Sequence, residues 1–249
     1  MASITVVIPV RNDAAMLAVA LESLRRQHRP PDEIVVVDNG SSDASAQVAH
    51  DGGARVVPEP VRGIPSAASA GYDAARGDII ARIDADSICP PEWLERIERR
   101  FASDPSLDLL TGDARFYGSS ELVHRLGESL YIGGMYTWVT PYLGHPPVFG
   151  SNFAMRRQVW AELGPEVHRE PGIHDDLDLS LHVRPWMQVA LDRSIVVEIS
   201  ARPFATVSGL ARRLAWVVPT LRNHWPEDAP WARRAARRDY QAEQAERTA

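Results

Sequence analysis

The chain has no lysine: all 27 of its basic residues are arginine. A P-loop needs a lysine on its phosphates, and Schiff-base or pyridoxal chemistry needs a lysine amine, so both are excluded. There is one cysteine, Cys89, which leaves no internal disulfide and no cysteine-cluster metal site. Its thiol is expected to pack in the core. No Gly-x-Gly-x-x-Gly follows the first apolar run, which argues against a dehydrogenase. No run approaches the roughly 18–20 apolar residues of a membrane-spanning helix, and the N-terminus enters a strand-like segment without a charged leader, so a cytoplasmic protein is expected.

What is present suits one large α/β domain. With 249 residues, 45% hydrophobic and 24% charged, roughly 70–75% of the unfolded surface can be buried. The net charge of -6 is uneven: residues 201–249 hold nine arginines against five acids. An acidic body argues against nucleic acid as a partner. The basic tail suits peripheral contact with an anionic membrane, at the inner face.

The first half alternates. Ile4 to Pro9 is a β-branched run, and apolar positions at Met16, Leu17, Ala20, Leu21 and Leu24 follow at helical spacing. Ile34 to Val37 is a second strand closed by Asp38, with Ser42 or Asp43 able to cap a helix ending near Gly52 and Gly53. Val56 and Val57, Ser66 to Arg76, and Ile79 to Ile83 continue the pattern as strand, helix, strand. Such alternation predicts a mainly parallel central sheet flanked by helices, with ligands at the carboxyl ends of its strands. Leu107 to Leu110, Val148 to Met155, Val189 to Leu191 and Ile195 to Ile199 predict a smaller mixed sheet region, and residues 115–147, rich in Gly, Tyr and Trp, separate its parts. The predicted organisation is one domain over residues 1–208 with a basic helical extension over 209–249.

Three acidic constellations stand out. Asp84-Ala85-Asp86 ends a buried strand, and two carboxylates so close on a loop can bind one hard divalent cation. The other reading is a solvated, helix-capping loop. Asp38-Asn39-Gly40-Ser41-Ser42-Asp43 ends a strand and opens a helix, where Asp38 can hold a ribose hydroxyl or base edge; ordinary turn chemistry is its alternative. Asp175-Asp176-Leu177-Asp178 enters a helix, and one of its acids can be a general base or simply cap that helix. His174 beside it has no partner histidine at ligand spacing and is read as a packed side chain.

Four segments in order, Thr5 to Asn12, Val35 to Asp43, Asp78 to Asp86 and Asp175 to Leu179, together resemble family 2 glycosyltransferases, inverting enzymes with the Rossmann-like GT-A fold. The resemblance covers roughly residues 3–183. It implies that Pro9, Arg11, Asp38 and Asn39 hold the nucleotide and that Ala85 and Asp175 line the nucleotide-sugar site. Asp86 would ligate Mn2+ or Mg2+ with Asp84 assisting, and Asp176 would be the catalytic base. Gly150-Ser151-Asn152 resembles a stretch lining the donor-sugar and acceptor pocket, which brings in Asn152. Partners implied are a nucleotide-sugar donor and an acceptor of unread identity, a lipid-linked one among the options, in cell-surface polysaccharide, glycolipid or glycoconjugate synthesis.

Two departures qualify this pattern. Many members have Asp where this chain has Asn39. Ala68-Ser69 stands where an Arg-Asn pair is usual, and Arg62 is the candidate to replace the missing contact. The alternatives are a non-catalytic nucleotide-sugar-binding protein of the same fold and a nucleotidyltransferase, the latter disfavoured by Pro9-Val10-Arg11-Asn12 in place of a Gly-rich loop.

Overall fold

The computed structural model describes residues 1–118, 132–202 and 207–248, with the side chains of 207–214, 247 and 248 outside that description. β1 (Ile4–Val10), α1 (Ala14–Arg25), β2 (Glu33–Asp38), α2 (Ser45–Asp51), β3 (Arg55–Pro58), α3 (Ile64–Ala74) and β4 (Ile79–Arg82) alternate as the sequence predicts. β1 pairs in parallel with β2 and β4, and β2 with β3. The chain thus builds outward on one side of β1 and returns to the other. The carboxyl ends of β1 and β4 therefore flank the crevice where open α/β sheets bind ligands.

The second half comprises β5 (Ser87–Ile88), α4 (Trp93–Ser103), β6 (Leu107–Tyr117), a π-helical turn (Met135–Val139) leading into α5 (Thr140–Leu143), β7 (Phe153–Arg156), α6 (Arg157–Leu163), α7 (Asp175–His182), β8 (Gln188–Ser200), α8 (Val207–Asn223) and α9 (Pro230–Thr248). Its strands do not form a separate sheet. β7 pairs antiparallel with both β4 and β6, which makes one eight-stranded sheet in the order β3-β2-β1-β4-β7-β6-β8-β5.

Two strand boundaries differ from expectation. The strand predicted over Val148 to Met155 starts only at Phe153. The two strands predicted over 189–191 and 195–199 are one, broken by a register shift: Leu191 faces Thr111, yet Val196 faces Asp113. The bulge closes over Gly112, where a Cβ would lie 2.2 Å from Asn152 Nδ2 and 2.4 Å from Ile195 O, so only glycine fits. Part of the Gly-, Tyr- and Trp-rich stretch, residues 119–131, lies outside the described residues.

Side-chain alternation sorts the core into two layers. Ile4, Val6, Ile8, Ile79, Ala81 and Ile83 pack with Leu17, Leu21, Trp93, Leu94 and Ile97 of α1 and α4. Val7, Val35, Val37 and Ile80 face Ala67, Ala68 and Tyr72 of α3, Trp160 of α6 and Leu179 of α7. Cys89 is buried in the first layer, as expected.

The C-terminal helices pack against α7. Thr220 Oγ1 accepts the His174 N–H at 2.9 Å. Arg233, buried, donates to Ser180 O and Val183 O at 3.3 Å each, and also to Leu181 O. It satisfies the carbonyls that the end of α7 leaves open.

Candidate active site

The loops after β1 and β2 are tied together before any ligand is considered. Asn12, at φ 52°, adopts a left-handed conformation that asparagine tolerates. Its Oδ1 accepts the Ser42 N–H at 2.7 Å, and its own N–H donates to Ser41 Oγ at 3.1 Å. Asp43 accepts from Ala14 N and Ser45 N, each at 3.0 Å, so one carboxylate serves the first turns of α1 and α2.

Strand alternation puts Arg82 on the same face as Ile80, and there the start of α7 meets it. Its side chain is 3% exposed. Nη2 donates to Asp84 Oδ1 at 3.2 Å, and Nη1 donates to Asp175 Oδ2. A buried guanidinium is stable only when paired, and here the partners are the Asp84-Ala85-Asp86 loop and the acidic start of α7. The signal for Arg82 is visible in the sequence, as the single charge within an apolar strand.

Asp176 completes this corner. Its Oδ2 accepts the Gly150 N–H at 2.8 Å, and its Oδ1 lies 2.6 Å from His174 Nδ1. Burial alone would raise its pKa, but the His174 imidazole, the Gly150 N–H and Arg82 outweigh burial and hold the carboxyl well below the usual range. His174, read from the sequence as a packing residue, is therefore the side chain beside Asp176. Gly150 is constrained from the same side: a Cβ there would come within 3.0 Å of both Arg82 Nη1 and Asp176 Oδ2.

Across the cavity, Ser151 Oγ donates to Asp84 Oδ2 at 2.6 Å. Burial and the neighbouring Asp84 push the Asp86 carboxyl up to about 6, against the opposing pull of Arg202. Arg202 Nη2 donates to Asp86 Oδ2 at 3.2 Å, and the same guanidinium grips Asp13, with Nη1 3.1 Å from Oδ1. Neither Asp13 nor Arg202 is marked by any motif.

Pro9, Arg11, Asp13, Arg82, Asp84, Ala85, Asp86, Gly150, Ser151, His174, Asp175, Asp176 and Trp216 line one cavity of about 280 Å³. Four other predicted residues stand apart from this lining. Asp38 Oδ1 accepts the Ser41 N–H at 3.0 Å in its own turn. Asn39 is 5% exposed and its amide holds the next loop, accepting from Gly63 N at 2.8 Å and donating to Val61 O at 2.7 Å and Glu59 O at 3.0 Å. Arg62 sits exposed on that pinned loop. Asn152 is 0% exposed behind the cavity, where it accepts from Trp93 Nε1 at 2.9 Å and donates to Asp113 O at 2.8 Å and Ile195 O at 2.9 Å.

A mainly parallel sheet with acids at its switch point and an acidic helix start across the crevice defines an α/β fold of the GT-A type. The sequence model of glycosyl transferase family 2 matches residues 5–164, and the chain belongs to that family. It is 30% identical over 119 residues to the putative glycosyltransferase EpsH of Bacillus subtilis (strain 168), covering 46% of this chain and 35% of the relative. It is 37% identical over 105 residues to the undecaprenyl-phosphate 4-deoxy-4-formamido-L-arabinose transferase of Pseudomonas fluorescens (strain Pf0-1), covering 38% and 31%. The chain thus spans about a third of the length of these curated relatives. Among solved structures, the glucosyl-3-phosphoglycerate synthase of Mycobacterium tuberculosis, in complex with Mn2+, UDP-glucose and phosphoglyceric acid, shares the fold with a TM-score of 0.67 at 22% identity, over 88% of this chain and 78% of that one.

Proposed function

We propose that the protein transfers a sugar from a nucleoside-diphosphate donor to an acceptor hydroxyl with inversion, in cell-surface polysaccharide, glycolipid or glycoconjugate synthesis. The observation that carries this reading is the convergence of Asp84, Asp86 and Asp176 on one cavity at the carboxyl ends of β1 and β4. Family membership supports it.

The residues fit Mn2+ or Mg2+. Asp84 and Asp86 offer the hard oxygen donors such ions take, and the Arg202 guanidinium already stands as a cation between Asp86 and Asp13. When bound, the ion supplies charge neutralisation at the departing diphosphate. Arg11 and Pro9 bound the nucleotide side of the cavity, and Arg62 lies on the adjoining loop as a further phosphate contact. Asp176, ionised and fixed by His174 and Gly150, takes the proton of the acceptor hydroxyl as that oxygen attacks the anomeric carbon. A positioned base of this kind contributes about 10²–10⁴ in rate. The buried Arg82 holds Asp175 in place beside it and opposes the burial that pushes the Asp175 carboxyl up.

A lipid-linked acceptor, met at the membrane surface by residues 209–249, fits the exposed side of the C-terminal helices. Val218, Trp225 and Trp231 are 68%, 54% and 62% exposed, and the two indoles stack edge to face at 5.2 Å. Among the described residues no helix is long and apolar enough to cross a membrane. Loss of liposome association on deleting residues 209–249 supports the membrane contact, and no association by the full chain removes it.

The deciding experiment is a thermal-shift panel of UDP, GDP, dTDP, CDP and CMP, with and without Mn2+, on wild type and Asp86→Ala. A ligand at 100 times its dissociation constant adds about 2.7 kcal/mol, or roughly 5–10 °C in the midpoint for a chain of this size. A metal-dependent shift by one nucleotide, absent from Asp86→Ala, is expected. Asp176→Asn is expected to bind that donor and fail in transfer; wild type that binds and never transfers favours the non-catalytic alternative.

A further inference from the structure

On the far side of α7, three imidazoles converge on one buried carboxylate. Asp178 and His182 lie four residues apart on α7 and share a face. His168 comes from the loop before that helix and His224 follows the end of α8. Asp178 is 0% exposed. Its Oδ1 lies 2.7 Å from His168 Nδ1 and 2.8 Å from His224 Nε2, and its Oδ2 lies 3.5 Å from His182 Nδ1. One ligating atom from each of the four residues falls within 4.8 Å of all the others.

We propose that His168, Asp178, His182 and His224 form a structural zinc site. Tetrahedral zinc with bonds of about 2.0–2.1 Å sets its ligand atoms about 3.3–3.4 Å apart; the Asp178 contacts to His168 and His224 lie close to this, while the His182 ring, whose Nδ1 lies 2.8 Å from Asp178 O, must turn or present its other nitrogen to ligate. Three imidazole nitrogens and one carboxylate oxygen suit Zn2+, whereas Mg2+ and Mn2+ prefer oxygen sets such as Asp84 with Asp86. The outer partners are also in place. His224 Nδ1 lies 2.8 Å from Asp228 Oδ2, and Arg233 Nη1 donates to Asp228 Oδ1 at 3.1 Å. Carboxylates behind ligating histidines fix ring orientation in this way. Access exists as well: the His168 side chain is 28% exposed, and a cavity of about 100 Å³ lined by His182, Asp228 and Arg233 opens beside the cluster. Loading the ion displaces the protons now shared between the rings and Asp178. It clamps α7, which carries Asp175 and Asp176, to α8, which carries Trp216.

The competing occupant is protons alone, in a hydrogen-bonded network around Asp178. To distinguish them, the full chain is stripped with chelator, dialysed against zinc sulfate and passed through gel filtration, and retained zinc is measured in wild type, Asp86→Ala, His182→Gln and His168→Gln. One equivalent per chain is expected in wild type and in Asp86→Ala, with loss in both histidine variants. Co2+ in place of zinc is expected to give the intense visible absorption of tetrahedral coordination, and zinc to raise the wild-type melting midpoint by several degrees. His168→Gln, on a partly exposed loop, guards against loss of fold, which circular dichroism checks. Wild type that retains no zinc, equal retention by His168→Gln, or octahedral Co2+ absorption overturns the assignment.

Discussion

Arg202 Nη2 stands 3.2 Å from Asp86 Oδ2, so the carboxylate proposed to ligate the metal already holds a positive charge. The arginine side chain is 55% exposed, and exposed pairs are worth only about 0.2–1 kcal/mol. Arg202→Ala is therefore expected to tighten binding of Mn2+ alone by roughly 1.5- to 5-fold, the same energies expressed as an equilibrium. Titration calorimetry without nucleotide reads this, and weaker Mn2+ binding would show that Arg202 helps rather than competes.

The raised Asp86 pKa sets a pH limit. Its carboxyl, pushed up to about 6 from 3.8, is protonated below that pH and cannot ligate. Mn2+ affinity is expected to hold above pH 7 and to fall as pH drops through about 6, well above the range of an ordinary aspartate. Affinity that stays level to pH 4.5 would contradict the burial and Asp84 repulsion that raise it.

His174 is a positioning residue for Asp176. Without the imidazole 2.6 Å away, the Asp176 pKa rises and its orientation loosens. His174→Gln is expected to lower kcat by roughly 10- to 100-fold, the size of effect that misplacement of about 1 Å produces. The acidic limb of the kcat profile moves to higher pH, and donor affinity stays within about twofold, because the change falls on the base more than on ground-state binding. An unmoved acidic limb would leave His174 only a structural part.

Gly150→Ala tests the packing of the same corner. Its Cβ would press on Arg82 Nη1 and Asp176 Oδ2 at 3.0 Å each, and overpacking of this kind costs about 1–3 kcal/mol. Transfer is expected to fall by more than the melting midpoint suggests, because the displaced atoms belong to the proposed base and to Arg82 beside it. A variant as active and as stable as wild type would show that the pair relaxes freely.

The sequence reveals the parallel half of the fold because its strands are apolar runs that each end in a turn or an acid, as at Asp38 and Asp84. Asp84 and Asp86 line the cavity because the end of β4 lies at the switch point, whereas Asp38 stays in its own turn. Other features depend on facts that spacing does not carry. Asn39 and Asn152 look like ligand contacts in a linear motif, yet Asn39's amide is held by the next loop and Asn152's by the Trp93 indole of α4 and by carbonyls of β6 and β8. Arg202 counted only as part of a basic tail until β8 placed it beside Asp13. His168, His182 and His224 show no metal spacing in sequence, and only the packing of α8 on α7 gathers them. The split of β8 into two expected strands reflects a bulge that keeps the ladder but breaks the apolar run.

The buried Arg82 has a mechanical consequence. One planar group of fixed size bridges Asp84 at the end of β4 and Asp175 at the start of α7. The gap between the end of β4 and the start of α7 is thus spanned by one rigid guanidinium hydrogen-bonded to both sides, like a calliper with little slack. Sliding α7 over β4 would strand a guanidinium away from water, so these two walls travel as one body. Any opening that would admit a donor is expected at the opposite rim, where the exposed Arg202 reaches Asp13 and Asp86 through contacts that solvent can replace.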